Sequence, residues 1–139
     1  MVSLTQKINA EIENIETTLS KLYPVLKVKD KGFPELAALA TILQNFYNGV
    51  ENILKQILFS LDIQIDITGN WHKDLLEEAG SKQILSESLK NELYEYLIFR
   101  HYFVHGYAIR LEETPLTTLT DKLEEVWGKF LFEIKSYYQ

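Results

Sequence analysis

Apolar residues along this chain recur in steps of three and four. Leu4, Ile8, Ile12, Ile15, Leu19 and Leu22 form the first such series, and an advance of about 100° per residue places them on one face of a helix. Pro24 stands where that helix is expected to stop. After the polar link "KVKDKG", Pro34 occupies a favourable first-turn position. Leu36, Leu39, Leu43, Phe46, Val50, Ile53, Ile57 and Leu61 then trace the stripe of the longest helix. "DIQIDITGN" breaks the period: Ile63, Ile65 and Ile67 alternate with polar residues, but no second strand is at hand to pair with them, so the segment reads as a loop. Asn70 is placed to cap a short helix, "WHKDLLEEA", that Gly80 would end, and Ser86 or Ser88 opens a longer one through Leu89, Leu93, Leu97 and Val104. Thr114 before Pro115 starts a last helix, with Leu116, Leu119, Leu123, Val126, Phe130, Ile134 and Tyr137 on one side. The pattern predicts an all-α fold, an antiparallel up-and-down bundle of four long helices plus one short helix.

Composition narrows this picture. The 139 residues, 46% of them hydrophobic and 24% charged, suit a single helical domain over residues 1–139. No apolar run approaches the roughly 18 residues of a membrane span, and "MVSLTQKINAEIENIE" lacks the basic start and apolar stretch of a signal peptide. The expected location is therefore the cytoplasm, with no membrane partner. The absence of cysteine removes disulfides, thiolate nucleophiles and thiolate metal sites. A net charge of −6 opposes non-specific binding to nucleic acid, so an RNA ligand requires a local basic cleft.

The candidate chemistry gathers in "FRHYFVHGYAIRL", which holds both arginines and two of the 3 histidines. On a regular helix Leu89, Leu93, Tyr96, Arg100, Val104, Tyr107 and Leu111 share one stripe, so Arg100 sits at a core-facing position. An unpaired buried charge costs several kcal/mol, so the guanidinium must be paired, for example with Glu51, or must face a wet cleft. Tyr94, Ile98, His101 and His105 form a second seam turned away from the first. Arg100 and His105 then project about 140° apart. Bringing them together requires a distortion near Gly106 or a site shared across a symmetric homodimer, and the homodimer is the expected solution.

Other chemistries find less support. His101 and His105 have the i, i+4 spacing of paired metal ligands, yet the interior of "HYFVH" is apolar and a third ligand from Asp62, Asp66 or His72 is unforced. No metal and no cofactor is expected. No serine stands in a nucleophile-elbow context, and the glycines are scattered rather than gathered into a phosphate-binding loop. Taken singly, Tyr107 reads as a core tyrosine, and Arg110 reads equally as a helix-end cation or an RNA backbone contact.

Taken together, "RHYFVHGY" resembles the R-x4-H-x-Y signature of HepT-type toxins in the HEPN superfamily. "LQNFYNGVENILKQI" and "GNWHKDLL" are also similar to the HepT pattern, and the helix order agrees from Ser3 to Tyr138. The resemblance implies an all-helical endoribonuclease, the toxin of a type II-like toxin-antitoxin pair, acting on cellular RNA with tRNA among the candidate substrates. It further implies that Arg100 and His105 are the catalytic pair and that Tyr107 is the tyrosine modified with AMP by a minimal nucleotidyltransferase antitoxin. His101 falls at an accessory polar position that is frequently Asn in the family.

RNA carries its own nucleophile, the 2′-hydroxyl, so a metal-free nuclease needs a proton acceptor, a proton donor and a cation for the developing phosphorane. His105 suits proton transfer near neutral pH. Arg100 suits two phosphate oxygens, and His101 or the partner subunit's His105 would supply the acid. Products would carry a 2′,3′-cyclic phosphate, DNA would not be cut, and AMP on Tyr107 would block the groove. Two other readings remain: an inactive helical protein-interaction module and a metal-dependent hydrolase.

Overall fold

In the computed structural model the chain is described over residues 1–66, 68–107 and 111–139, with Gly106 and Tyr107 described by their main chain alone. Its helices are α1 (Leu4–Leu19), α2 (Leu22–Leu26), α3 (Phe33–Ser60), α4 (Trp71–Ser81), α5 (Glu87–Tyr102), α6 (Glu113–Asp121) and α7 (Leu123–Ile134). A π-helical turn, Phe103–Tyr107, continues α5, and a 3-10 turn, Lys135–Tyr137, follows α7. No strand occurs among the described residues, and the "DIQIDITGN" segment is loop wherever it is described.

Local chemistry sets several of the boundaries. Ser3 caps α1 through a reciprocal box: its hydroxyl accepts from the Gln6 amide at 3.1 Å, and the Gln6 side chain accepts from the Ser3 amide at 2.9 Å. Glu35 likewise accepts from the Gly32 amide at the head of α3, where Pro34 occupies the first turn. Ser86 caps α5 by accepting from the Leu89 amide. Asn70 precedes α4 without a side-chain cap, and α4 runs one residue past Gly80.

Two boundaries differ from the periodic reading. The first helix ends at Leu19, and Pro24 lies inside α2 rather than ending α1. In the first turn of that short helix its missing N–H would have had no intrahelical partner in any case. The last helix is two helices that meet at Lys122, and it starts at Glu113 behind an extended Glu112 rather than at a Thr114 cap. Thr117, Thr118 and Thr120 turn their hydroxyls back onto carbonyls of the preceding turn, a local competition that weakens and bends helices.

Contact pairs fix the directions. Asn52 donates to Glu11 and Gly49 faces Ile15, so α1 and α3 run antiparallel. A methyl group added at Gly49 would collide with Ile15, which is why the two helices approach so closely there. Ser86 with Glu133, Glu92 with Lys129 and Glu95 with Lys122 make α5 and α7 antiparallel as well. The core lies between these pairs: Phe46 of α3 meets Tyr96 of α5 edge-on at 5.4 Å and Trp127 of α7 at 6.1 Å between ring centres. Ile8, Leu43, Leu54, Leu75, Leu93, Leu116 and Phe130 join the same buried cluster. No helix among the described residues is long and apolar enough to cross a membrane.

Two buried phenols give this core a pH signature. Tyr96 donates its hydroxyl to the Leu119 carbonyl at 2.8 Å; burial, then the charges of Glu95 and Glu92, push its pKa well above the usual 10.0. Burial likewise raises Tyr47; Glu51 adds to the shift and Arg100 partly opposes it. The Tyr47 hydroxyl makes no well-formed hydrogen bond among the described residues, so Glu51 acts on it mainly through space. Both folded-state values lie above the unfolded value of 10.0. The stabilising contribution is therefore complete below pH 10 and is lost as pH rises further, because the unfolded chain releases protons that the folded one keeps. Urea unfolding is expected to show stability falling above pH 10 by about 1.4 kcal/mol per pH unit for each phenol. Tyr96→Phe should remove its share of that slope, and a slope unchanged by Tyr96→Phe would contradict the assignment.

Candidate functional site

The π turn determines where the candidate residues point. A π turn bonds i to i+5 and is wider than an α turn, so each residue in it advances by less than about 100°. Across Phe103–Tyr107 this narrows the angle that a regular helix would place between Arg100 and His105. Both side chains, with His101, line one cleft of about 650 Å³ in a single chain. Of the two ways of bringing them together, a distortion near Gly106 is the one the chain contains. The same unwinding turns Val104 outward: it is 43% exposed rather than part of the core stripe that Leu89, Leu93 and Tyr96 continue.

The rest of the cleft comes from the loop before α4, from α4 itself and from the outer face of α5: Gly69, Asn70, His72, Lys73, Tyr94, Leu97 and Ile98. Gly69 adopts φ +66, a left-handed conformation that glycine takes at little cost, and so carries the chain round into Asn70. All 3 histidines of the chain meet here, with Arg100 and Lys73, and no acidic side chain is among the described lining residues. On a chain of net charge −6 this is a local basic recess of the kind an anionic ligand requires.

Arg100 is half-buried, and its Nε donates to Asn48 Oδ1 of α3 at 2.8 Å. Among the described residues no carboxylate lies within ion-pair distance of it, so the pairing with Glu51 does not form. One donor of the planar fork is fixed by a neutral amide and the guanidinium has no ion-pair partner among the described residues, an arrangement suited to two phosphate oxygens. His105 Nδ1 lies 2.9 Å from the His101 carbonyl oxygen. A carbonyl only accepts, so Nδ1 carries the hydrogen and Nε2 is the nitrogen able to exchange a proton. The His101 ring stacks on His105 at 4.1 Å and limits its rotation. The seam of Tyr94, Ile98, His101 and His105 is exposed, as its spacing predicts.

Glu51 is 3% exposed in α3, and both of its oxygens meet His72 Nδ1, at 3.0 and 2.8 Å. His72 stacks on the neighbouring Trp71 ring at 3.7 Å, and Lys55 Nζ lies over the Trp71 ring at 4.6 Å from its centre. This pair, like Asn48, was not assigned to the site by sequence pattern. Asn48 and Glu51 lie off the apolar stripe of α3, and the sequence signal they share with His72 is that they fall in "LQNFYNGVENILKQI" and "GNWHKDLL", the segments similar to the HepT pattern. Among the described residues no three His, Asp or Glu side chains converge as a metal site. Asp66 accepts from the Thr68 hydroxyl, and neither it nor Asp62 lines the cleft. The Tyr107 side chain and the whole of Arg110 lie outside the described residues.

No curated protein and no solved structure matches the chain. A family model described as HepT-like protein matches residues 38–139, from the first half of α3 through the C-terminal residue. That match takes in every described residue of the cleft and more than half of the sequence, and by it the chain belongs to the HepT-like protein family of the HEPN superfamily.

Proposed function

We propose that this protein is the toxin of a toxin-antitoxin pair and a metal-independent endoribonuclease. The observation that carries the reading is the cleft: Arg100, Lys73 and all three histidines line it, without a described carboxylate among them. The 2′-hydroxyl of RNA attacks the adjacent phosphorus while His105 Nε2 takes its proton. Arg100 holds the non-bridging oxygens as charge builds on them, and the 5′-oxygen leaves. Arg110 would extend the cleft along the RNA backbone. The nucleotidyltransferase antitoxin of the HepT pattern would silence the site by placing AMP on Tyr107, one bulky anion competing with RNA for Arg100. A homodimer through the outer face of α5, where Ile98 is 55% and Tyr94 38% exposed, is part of the proposal. It predicts a solution mass about twice the 16.2 kDa of the chain.

The chemistry is tested by the products. With EDTA present, RNA fragments are expected to end in a 2′,3′-cyclic phosphate or the monophosphate derived from it, and a DNA of the same sequence is expected to survive. Cleavage that appears only with added Mg²⁺, and that then consumes DNA or leaves fragments with a 3′-hydroxyl, would point to a metal-dependent hydrolase instead.

A further inference from the structure

The cleft holds a second histidine prepared as His105 is. Glu51 occupies a position in α3 flanked by Val50, Ile53 and Leu54, all buried. Packing alone does not ask for a carboxylate there, since a buried charge brings a desolvation penalty that an apolar residue of similar size avoids. Its oxygens both fall on His72 Nδ1. A carboxylate only accepts, so Nδ1–H is committed to Glu51, and Nε2 has no hydrogen-bond partner among the described residues. The Trp71 ring limits rotation of the imidazole from one side. His72 lines the same cleft as Arg100 and His105 but is carried by α4 rather than by α5 and its π turn.

We propose that His72, positioned by Glu51, is a second catalytic histidine of this site, the proton donor to the leaving 5′-oxygen. The inference rests on the ribonuclease reading and completes it. As the 2′-oxygen bonds to phosphorus, its proton passes to His105 Nε2; as the bond from phosphorus to the 5′-oxygen breaks, His72 Nε2 gives that oxygen a proton. One proton is taken and one is given, and the fragments are a cyclic phosphate and a 5′-hydroxyl. An imidazolium at position 72 has a carboxylate counter-charge at 2.8 Å, whereas His105 faces a neutral carbonyl beside Arg100, which assigns the donor role to His72. His101, with its ring packed on His105, is left to position that base.

His72→Asn tests this, because its amide keeps a donor for Glu51 while removing the nitrogen that carries the proton. Two substrates are compared at the linkage the parent cuts: ordinary RNA, and the same RNA with a 5′-bridging sulfur, whose thiolate leaves without a proton. On ordinary RNA His72→Asn is expected to lower kcat by about 10²-fold or more. On the sulfur substrate it should come within about threefold of the parent, while His105→Ala stays slow on both. Glu51→Gln, which keeps an acceptor for His72 but loses the charge, should show a smaller loss that the sulfur likewise restores; this arm decides the matter if His72→Asn melts early. Near-parental cutting of ordinary RNA by His72→Asn, or equal slowness on both substrates, overturns the donor role and leaves the ribonuclease reading standing. A parent that cuts neither substrate overturns both.

Discussion

His105→Ala is expected to lower metal-independent cleavage of RNA by about 10²–10⁴-fold, the range a positioned general base contributes. The loss should fall on kcat rather than on binding, since the imidazole exchanges a proton while Arg100 and Lys73 supply the attraction for phosphate. The ring's setting gives the prediction its sharpness. Its Nδ1 is held by the His101 carbonyl, so only Nε2 can serve, and the group that must accept the proton is already fixed. His105 is exposed in the cleft, and its truncation opens no core cavity, so the melting temperature should stay close to that of the parent. A large loss of stability would mean that the π turn depends on this ring, and the kinetic loss would then have to be read as loss of geometry.

Arg100→Lys should be nearly as damaging, about 10²–10³-fold in kcat, although the charge is kept. Nε is spent on Asn48, at 2.8 Å, which holds the guanidinium plane and leaves its outer nitrogens for two oxygens of one phosphate. A lysine ammonium offers a point charge with no such plane and no separate atom to anchor on Asn48. Binding of uncleaved RNA should weaken far less than turnover, because the charge still attracts phosphate. Equal weakening of binding and turnover would make Arg100 a general phosphate contact rather than a stabiliser of the transition state.

The helices were legible in the sequence because each buries one face, and the stripes of α1, α3 and α5 reappear as Ile8, Ile12 and Ile15, as Leu39, Leu43 and Phe46, and as Leu89, Leu93 and Tyr96. The break at Lys122 was not, because Leu119, Leu123 and Val126 keep the helical period across it, and the threonine hydroxyls that compete for backbone carbonyls just before it leave that period unchanged. The π turn was legible only as the less favoured of two ways out: Arg100 and His105 could not meet on a regular helix, a site shared across a homodimer was the expected solution, and nothing in the composition of "FVHGY" states that the main chain widens there. A change of a single bonding register is a main-chain event, and it carries no side-chain signature that periodicity detects.

The site divides in the same way. Arg100, His101 and His105 lie close in sequence, so their spacing could be read directly. Glu51 and His72 lie on two helices, and their pairing depends on how α4 packs against α3, which spacing does not encode. Glu51 was the natural partner for a core-facing arginine, and the structure gives that carboxylate to a histidine instead. Arg100 is thereby left with an amide and an open cleft, which favours the catalytic reading over a packed, neutralised arginine.

The measurement that bears most directly on the account is incubation of the purified parent with total cellular RNA in EDTA, followed by an intact-mass check of the protein. The account predicts the disappearance of discrete RNA species at a rate that added Mg²⁺ does not raise, from protein whose mass matches the unmodified chain. Unmodified protein that leaves every RNA intact in EDTA would contradict it and would point to a helical module that binds a partner without cutting RNA.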